Sequence, residues 1–177
     1  MIKTPATKAS LALRGLHWMM ALAIASAWAL AFAYEQFVGR FSLQKLLIHA
    51  HIVVGLSILV LVPLRYAVHL IRPLPPITPA PPRWQSWLSA LVRTALYGLM
   101  LATPVLGFIV AQSSGRTIEL FGIALPVLVG RDIAFSHAIE AVHENVALAL
   151  LCLVAAHATV ALVHHLIRRD NALRRML

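Results

Sequence analysis

Histidine is the residue type in this sequence that is best placed to do chemistry. The chain has nine histidines against only six acidic residues, and several lie in long apolar stretches, where polar side chains are costly and usually functional. In the last such stretch, His143 and His157 are separated by about four helical turns, so they share one helix face about 21 Å apart. Neutral imidazole is a good axial ligand to iron, and this face therefore predicts ligands at two depths.

The elements that must position these histidines are membrane helices. Of the 177 residues, 60% are hydrophobic and only 12% are charged, which excludes a soluble globule. Four apolar stretches, each near or above the roughly 20 residues that span a bilayer, predict helices over residues 11–34, 43–70, 86–112 and 140–167. The predicted fold is an all-α membrane protein, a four-transmembrane-helix bundle that forms a single domain over residues 1–177, so any chemistry must take place between the helices.

Two more histidines match the depths of this pair. His17 lies near the start of the first helix, level with His157, and His51 lies early in the second, level with His143. Two facing imidazoles at each of two depths fit two six-coordinate haems stacked across the bilayer, with His17, His51, His143 and His157 as the iron ligands. The alternative is that each histidine only hydrogen-bonds a neighbouring helix.

Other metal chemistries fit the sequence less well. Neither histidine pair has an accompanying carboxylate or thiolate, which argues against a zinc or di-iron site and against a metal transporter. The only cysteine, Cys152, lies inside the fourth helix, and there is no CxxCH attachment motif. Any haem is therefore expected to be held non-covalently.

The distribution of charge predicts the orientation in the membrane. Most of the 15 lysines and arginines fall at one end of the predicted bundle: Lys3, Lys8, Arg14, Arg65, Arg72, Arg83, Arg93, Arg168, Arg169, Arg174 and Arg175. The other end has only four basic residues, Arg40, Lys45, Arg116 and Arg131, together with five acids, Glu35, Glu119, Asp132, Glu140 and Glu144. The positive-inside rule places both termini in the cytoplasm, and the dispersed charge argues against nucleic-acid binding.

The connections and the N-terminus are also informative. Residues 72–82 contain six prolines and predict a stiff extended strap between the second and third helices. The longest loop, 113–139, is expected to cover the outer end of the bundle and to contain His137. The first apolar run is too long for a cleaved signal peptide, so it is expected to remain as a helix.

Five sequence segments together resemble one family. They are Leu16-His17-Trp18, the run from His51 through Gly55 to Leu61 with Arg65, the proline strap, Tyr97 through Pro104-Val105-Leu106-Gly107, and His143-Glu144 through His157 to His164-His165. The chain resembles the bacterial cytochrome b561 family over almost its whole length. It is similar, more distantly, to the dihaem cytochrome b subunits of nickel–iron hydrogenases and formate dehydrogenases.

This resemblance implies a multi-pass protein of the bacterial inner membrane, surrounded by lipid, that exchanges electrons with the quinone pool. It implies an oxidoreductase of the superoxide oxidase type, with superoxide as an outer-face donor and ubiquinone as the bound electron acceptor. The alternative is a relay and anchor subunit that takes electrons from a redox partner protein of the hydrogenase or dehydrogenase type. The absence of long loops or tails favours the stand-alone enzyme.

Two residues depart from the family pattern or compete with a predicted ligand. Arg93 occupies a position where the family often has histidine, and a guanidinium cannot ligate iron, so no ligand is assigned to the third helix. His49 lies about 200° around the helix from His51, so both cannot face one iron. Gly55 lies on the face of His51 and would let a flat macrocycle approach the backbone, which favours His51 as the ligand.

The quinone is expected near the cytoplasmic ends of the helices. His164 returns to the face of His157 one to two turns closer to the cytoplasm, where with Arg65, His69 and Arg72 it is predicted to hydrogen-bond a quinone carbonyl. The alternative for His164, His165 and His69 is that they only lie beside the lipid headgroups. The basic residues at the outer end predict weak electrostatic steering of an anion.

Overall fold

Four long helices dominate the computed structural model, which describes residues 8–120 and 122–177. The helices are α1 (Leu11–Gln36), α2 (Phe41–Ile71), α3 (Arg83–Ser113) and α4 (Ile133–Val163), and α4 continues as a π-helical turn over His164–Arg168. All four are long and apolar enough to cross a membrane, as predicted. Of the predicted N-terminal charges, Lys3 lies outside the described residues.

The first three helices begin and end within three residues of the predicted bounds, but the prediction for α4 was wrong at its start. This helix begins at Ile133 rather than at residue 140, because Asp132 caps it: its Oδ1 accepts a hydrogen bond from the Phe135 N–H at 3.0 Å. His137, predicted in a loop, lies on α4 instead, with Glu140 at 3.4 Å from its Nδ1. The prediction placed residues 133–139 in the loop, although five of these seven residues are apolar.

The helices pack as two adjacent pairs. α1 runs along α2, α3 runs along α4, and α2 joins the pairs by packing against α3. In the part of the chain that the structure describes, α4 makes at most a few close backbone contacts with α1 or α2. A core of buried side chains lies about midway along the bundle and consists of Met20, Ile24, Ile58, Val62, Met100 and Leu150. Most of the other apolar side chains on the helices face outward, as expected for a surface covered by lipid.

The two ends of the bundle are distinct. We call the end with the starts of α1 and α3 and the ends of α2 and α4 the terminal end, and the opposite one the loop end. At the loop end, residues 114–132 connect α3 to α4 and include a short antiparallel hairpin of β1 (Glu119–Leu120) and β2 (Ile123–Ala124). The buried Gln112 holds this loop: its Nε2 donates to the Pro126 carbonyl, and its Oε1 accepts from the Leu128 and Val129 N–H groups.

At the terminal end, the C-terminal segment 169–177 folds back over the bundle. Asn171 hydrogen-bonds Thr78 in the proline strap, Arg175 donates to the Pro75 carbonyl at 2.7 Å, and the Trp18 Nε1–H donates to the Met176 carbonyl at 3.0 Å. The segment therefore joins the strap to the start of α1, which the sequence did not predict.

A buried histidine–aspartate contact anchors this C-terminal segment. The His164 Nδ1–H donates to Asp170 Oδ2 at 2.5 Å, and both residues are more than nine-tenths buried. The His164 Nε2 accepts from the Gln85 Nε2–H at 2.7 Å, and Gln85 Oε1 accepts from Arg168 at 2.6 Å. Burial by itself would raise the pKa of Asp170, but hydrogen bonds from the Ala172 N–H and His164 outweigh it and hold that pKa below its ordinary value.

We predict that Asp170→Asn releases the C-terminal segment. The two carboxylate oxygens of Asp170 accept from His164 and from the Ala172 N–H, and Asn has only one side-chain oxygen, so its NH2 group would face one of these two donors. A change of the His164 tautomer would in turn disturb Gln85 and Arg168. A buried hydrogen bond to a charged group contributes about 1.5–3 kcal/mol, so trypsin should cleave after Arg174 or Arg175 about tenfold faster or more.

Glu140→Gln is the matched control, because its contact with His137 is exposed and should contribute little. Unchanged cleavage of the Asp170→Asn protein would contradict the assignment. Because the pKa of Asp170 is lowered on folding, its contribution is complete above the ordinary value of about 3.9 and is lost as the pH falls through the lower folded value. Hydrogen exchange in the segment should therefore accelerate only in strong acid.

Candidate haem-binding site

The structure brings the four predicted ligands together as two facing pairs. His51 of α2 and His143 of α4 lie toward the loop end, with ring centroids 6.3 Å apart and ring planes at 87°. His17 of α1 and His157 of α4 lie toward the terminal end, with centroids 6.4 Å apart and planes at 78°. We call these the loop-end pair and the terminal-end pair.

Both spacings match two imidazoles that share one metal ion. An imidazole nitrogen binds a first-row metal at about 2 Å and lies about 1.2 Å from the ring centre, so two rings on opposite sides of one ion are about 6.4 Å apart. If the two rings of each pair only contacted each other, their centroids would not need to be the same distance apart in both pairs. The observed pairs therefore fit axial ligation of a metal placed between them.

The rest of the donor set favours a porphyrin over a bare ion. Among residues 8–120 and 122–177 no cluster of three or more His, Cys, Asp and Glu side chains could hold a metal on its own. A haem iron needs only two ligands from the protein, since the macrocycle supplies four equatorial nitrogens. Both pairs also bridge α4 to α1 or α2, the helices that scarcely touch α4 directly, so the rings face each other where the helices are separated.

Backbone carbonyls orient the loop-end pair. The His51 Nδ1–H donates to the Ala27 carbonyl on α1 at 2.9 Å, and the His143 Nδ1–H donates to the Thr103 carbonyl on α3 at 2.9 Å. Each bond places the proton on Nδ1 and leaves Nε2 as the free lone pair, which is the tautomer that binds iron. In both cases the carbonyl belongs to the helix packed directly beside the one that carries the histidine.

Gly107 makes room for one of these rings. A Cβ atom at this position would lie 3.0 Å from Cε1 of His143 and 3.4 Å from its Nδ1. The imidazole therefore rests on the bare backbone of α3, close to the carbonyl that orients it. Gly55, on the face of His51, would meet nothing within 4 Å of an added Cβ, which agrees with open space beside α2 for a flat group.

The terminal-end pair has a different environment. The His17 Nδ1 is buried and has no hydrogen-bond partner. Arg65 of α2 lies close enough to His17 and His157 to repel a positive charge on either ring, and it also interacts with Tyr97. This pair therefore lies beside a fixed cation, whereas hydrogen bonds to carbonyls orient the other pair.

The structure gives His164 different partners from those predicted. Both of its ring nitrogens are engaged, one by Asp170 and one by Gln85, so neither is free for a quinone carbonyl in this arrangement. Arg65 and His69 are partly buried and lie on α2 within electrostatic range of each other. Arg72 is exposed at the end of the same helix.

The remaining predicted residues lie away from the pairs. His49 is exposed on α2, and Arg93 is exposed on α3 near His69 and Arg175. At the loop end, Arg40, Lys45, Arg116 and Arg131 are all exposed, as are the five nearby acids.

Sequence reasoning missed the residues that support the site. The carbonyls of Ala27 and Thr103 belong to the backbone, so no side-chain motif identifies them. The partners of His164, which lies outside the two pairs, were also missed: Gln85 is 79 positions away along the chain and Asp170 is six positions away. One signal was present: an amide and a carboxylate with no other function lie at the ends of apolar helices, where buried polar groups need partners.

Comparison with known proteins gives a consistent result. A family model described as prokaryotic cytochrome b561 matches residues 8–177. The chain is 29% identical over 163 residues to a protein of Yersinia pestis named probable superoxide oxidase CybB, and 32% identical over 162 residues to cytochrome b561 homolog 1 of Escherichia coli K12. Each alignment covers 92% of both chains.

A second protein of Escherichia coli K12, cytochrome b561 homolog 2, is 32% identical over 84 residues, which is 47% of this chain and 45% of that protein. The family implies a b-type haem protein that transfers electrons in a membrane, and the facing histidine pairs fit that cofactor. This chain belongs to the prokaryotic cytochrome b561 family.

Proposed function

We propose that this protein is a dihaem b cytochrome that transfers electrons from superoxide to ubiquinone across the bacterial inner membrane. The observation that carries this proposal is the presence of two imidazole pairs, 6.3 and 6.4 Å apart, at two depths of the bundle. Two superoxide ions would each lose one electron to become dioxygen, and ubiquinone would take up both electrons and two protons to become ubiquinol. The similarity to a probable superoxide oxidase supports this choice of donor.

The chain's own residues would hold and orient the cofactors. His51 and His143 would hold one haem b, and His17 and His157 the other, each through Nε2. When bound, each haem supplies a reversible one-electron iron couple. The Ala27 and Thr103 carbonyls keep the loop-end imidazoles in the ligating tautomer and orientation.

The two ends of the bundle would have different roles. We assign the terminal end to the cytoplasm, because most basic residues lie there, and the loop end to the outer face. The exposed Arg40, Lys45, Arg116 and Arg131 would attract an anion to the loop end, although the five acids reduce this effect. For the quinone, Arg65 and His69 are better placed than His164 as hydrogen-bond donors to a carbonyl, since both His164 nitrogens are engaged.

The first prediction concerns ligation. His157→Ala should remove the terminal-end haem and leave the loop-end haem, because the two pairs share no ligand. Haem content should fall from two per chain to one, with about half of the reduced-minus-oxidised absorbance retained. His49→Ala is the matched control, since this exposed histidine of α2 faces away from both pairs, and it should retain both haems. If His157→Ala lost both haems or neither, the pairing would be wrong.

The second prediction concerns Gly107. Gly107→Ala should weaken binding at the loop end, and Gly107→Val more strongly, because an added Cβ would lie 3.0 Å from the His143 ring. Haem content and the spectrum of the loop-end centre measure the effect. Gly98→Ala is the control on the same helix: it makes the same chemical change where a Cβ meets nothing within 4 Å. Equal haem retention in all three variants would contradict a role for Gly107.

The third prediction concerns activity. The purified protein in liposomes that contain ubiquinone should consume superoxide faster than spontaneous dismutation and form one ubiquinol for every two superoxide ions. The His157→Ala protein serves as the control and should be inactive if the terminal-end haem is required. A protein with two haems that does not react with superoxide, but is reduced by a co-purifying dehydrogenase, would instead be a relay subunit.

A further inference from the structure

One face of α2 carries both an imidazole ligand and a cation. Residues that follow one another by four and then three positions lie on the same face of a helix. From His51 this series passes through the buried Ile58 and Val62 and reaches Arg65. Arg65 therefore points to the same side as the core and the loop-end ligand. A charged side chain on an inward face at membrane depth is costly and requires a compensating interaction.

Arg65 also lies level with the terminal-end pair. α2 and α4 run in the same direction, from the loop end to the terminal end, and His51 faces His143 across the bundle. The step from His51 to Arg65 along α2 equals the step from His143 to His157 along α4, about 21 Å in each case. Arg65 interacts with both His17 and His157, as expected for a residue at the depth of the terminal-end pair.

Within residues 8–120 and 122–177, no carboxylate forms an ion pair with Arg65. Among the described residues, the ion pairs are those of His137 with Glu140 and His164 with Asp170, and neither includes Arg65. The groups around it are His17, His157, His69 and Tyr97, none of which is an anion at neutral pH. Within the described part of the protein, no carboxylate therefore offsets its effect on the terminal-end pair.

The ligands themselves add a second asymmetry. In the loop-end pair, both Nδ1–H groups donate to carbonyls, which makes the imidazoles more basic and favours oxidised iron. In the terminal-end pair, the His17 Nδ1 is buried without a partner. The hydrogen bonds at one level and the cation at the other thus bias the two centres in opposite directions.

We propose that this asymmetry sets the direction of electron flow: Arg65 raises the reduction potential of the terminal-end centre above that of the loop-end centre. This inference rests on the proposed haem ligation. With both haems bound, the group held by His51 and His143 would give up one electron and be oxidised, and the group held by His17 and His157 would accept it and be reduced. Arg65 acts through its positive charge and does not ligate the iron.

Spectroelectrochemical titration of the detergent-purified protein with both haems bound tests the order of potentials directly. The His157→Ala protein identifies the loop-end centre in the spectrum. In the unmodified protein, the terminal-end centre should be reduced first as the potential is lowered. The reverse order would overturn the proposal without any substitution at Arg65, and it would leave the ligation itself intact.

Substitutions then test whether Arg65 is the cause. Arg65→Gln should lower the reduced-to-oxidised ratio of the terminal-end centre at a fixed potential by about tenfold, the order expected when a nearby unit charge is removed at an effective dielectric constant of about 20. The loop-end centre should shift much less. Arg65→Lys keeps the charge and should retain most of the original ratio. Arg72→Gln removes an exposed charge farther along α2 and should have little effect.

Two results would contradict the role of Arg65. In a protein with two haems, equal shifts of both centres would indicate a general effect of net charge or folding. Unchanged potentials with a raised KM for ubiquinone would show that Arg65 acts only through its proposed contact with the quinone and does not set the potentials. If Arg65→Gln lost haem, the order of potentials in the unmodified protein would still test the proposal, because the reverse order would overturn it.

Discussion

The contact between facing imidazoles is the constraint on which the rest of this bundle depends. α4 scarcely touches α1 or α2, yet it is opposite them at two levels, where His143 faces His51 and His157 faces His17. In lipid there is no hydrophobic driving force between helices, so such a separation is not closed by apolar attraction alone. A cofactor ligated from both sides would hold α4 at this distance, and haem binding and helix assembly would then be coupled.

Much of this arrangement could be predicted from periodicity. Apolar length gave the four helices, and the spacing of His143 and His157 gave a shared face and two levels. Depth matching then selected His17 and His51, and His49 was set aside because it lies on another side of α2. These inferences succeed because a helix converts sequence spacing into distance and direction with little freedom.

Two features of the structure were not predicted, the start of α4 and the partners of the histidines. The start was predicted at residue 140, although α4 begins at Ile133 after the Asp132 cap and its first seven residues are mostly apolar. His164 lies on the predicted face, but periodicity gives no information about Asp170 and Gln85, which engage both of its nitrogens. The carbonyl partners of His51 and His143 depend on how neighbouring helices pack, which no side-chain pattern records.

An apolar core separates the polar groups at one end of the bundle from those at the other. Met20, Ile58, Val62, Met100 and Leu150 separate the two histidine levels with side chains that carry no charge. A fixed cation beside one level is therefore poorly screened and acts chiefly on the nearer centre. At the loop end, Gln112 holds the covering loop, and at the terminal end, Asp170 holds the C-terminal segment. Both sets of hydrogen bonds lie outside the apolar core. The chain can in this way hold its ends with hydrogen bonds, and under the proposed assignment Arg65 and the carbonyl hydrogen bonds to the loop-end pair would together set the difference between the two centres.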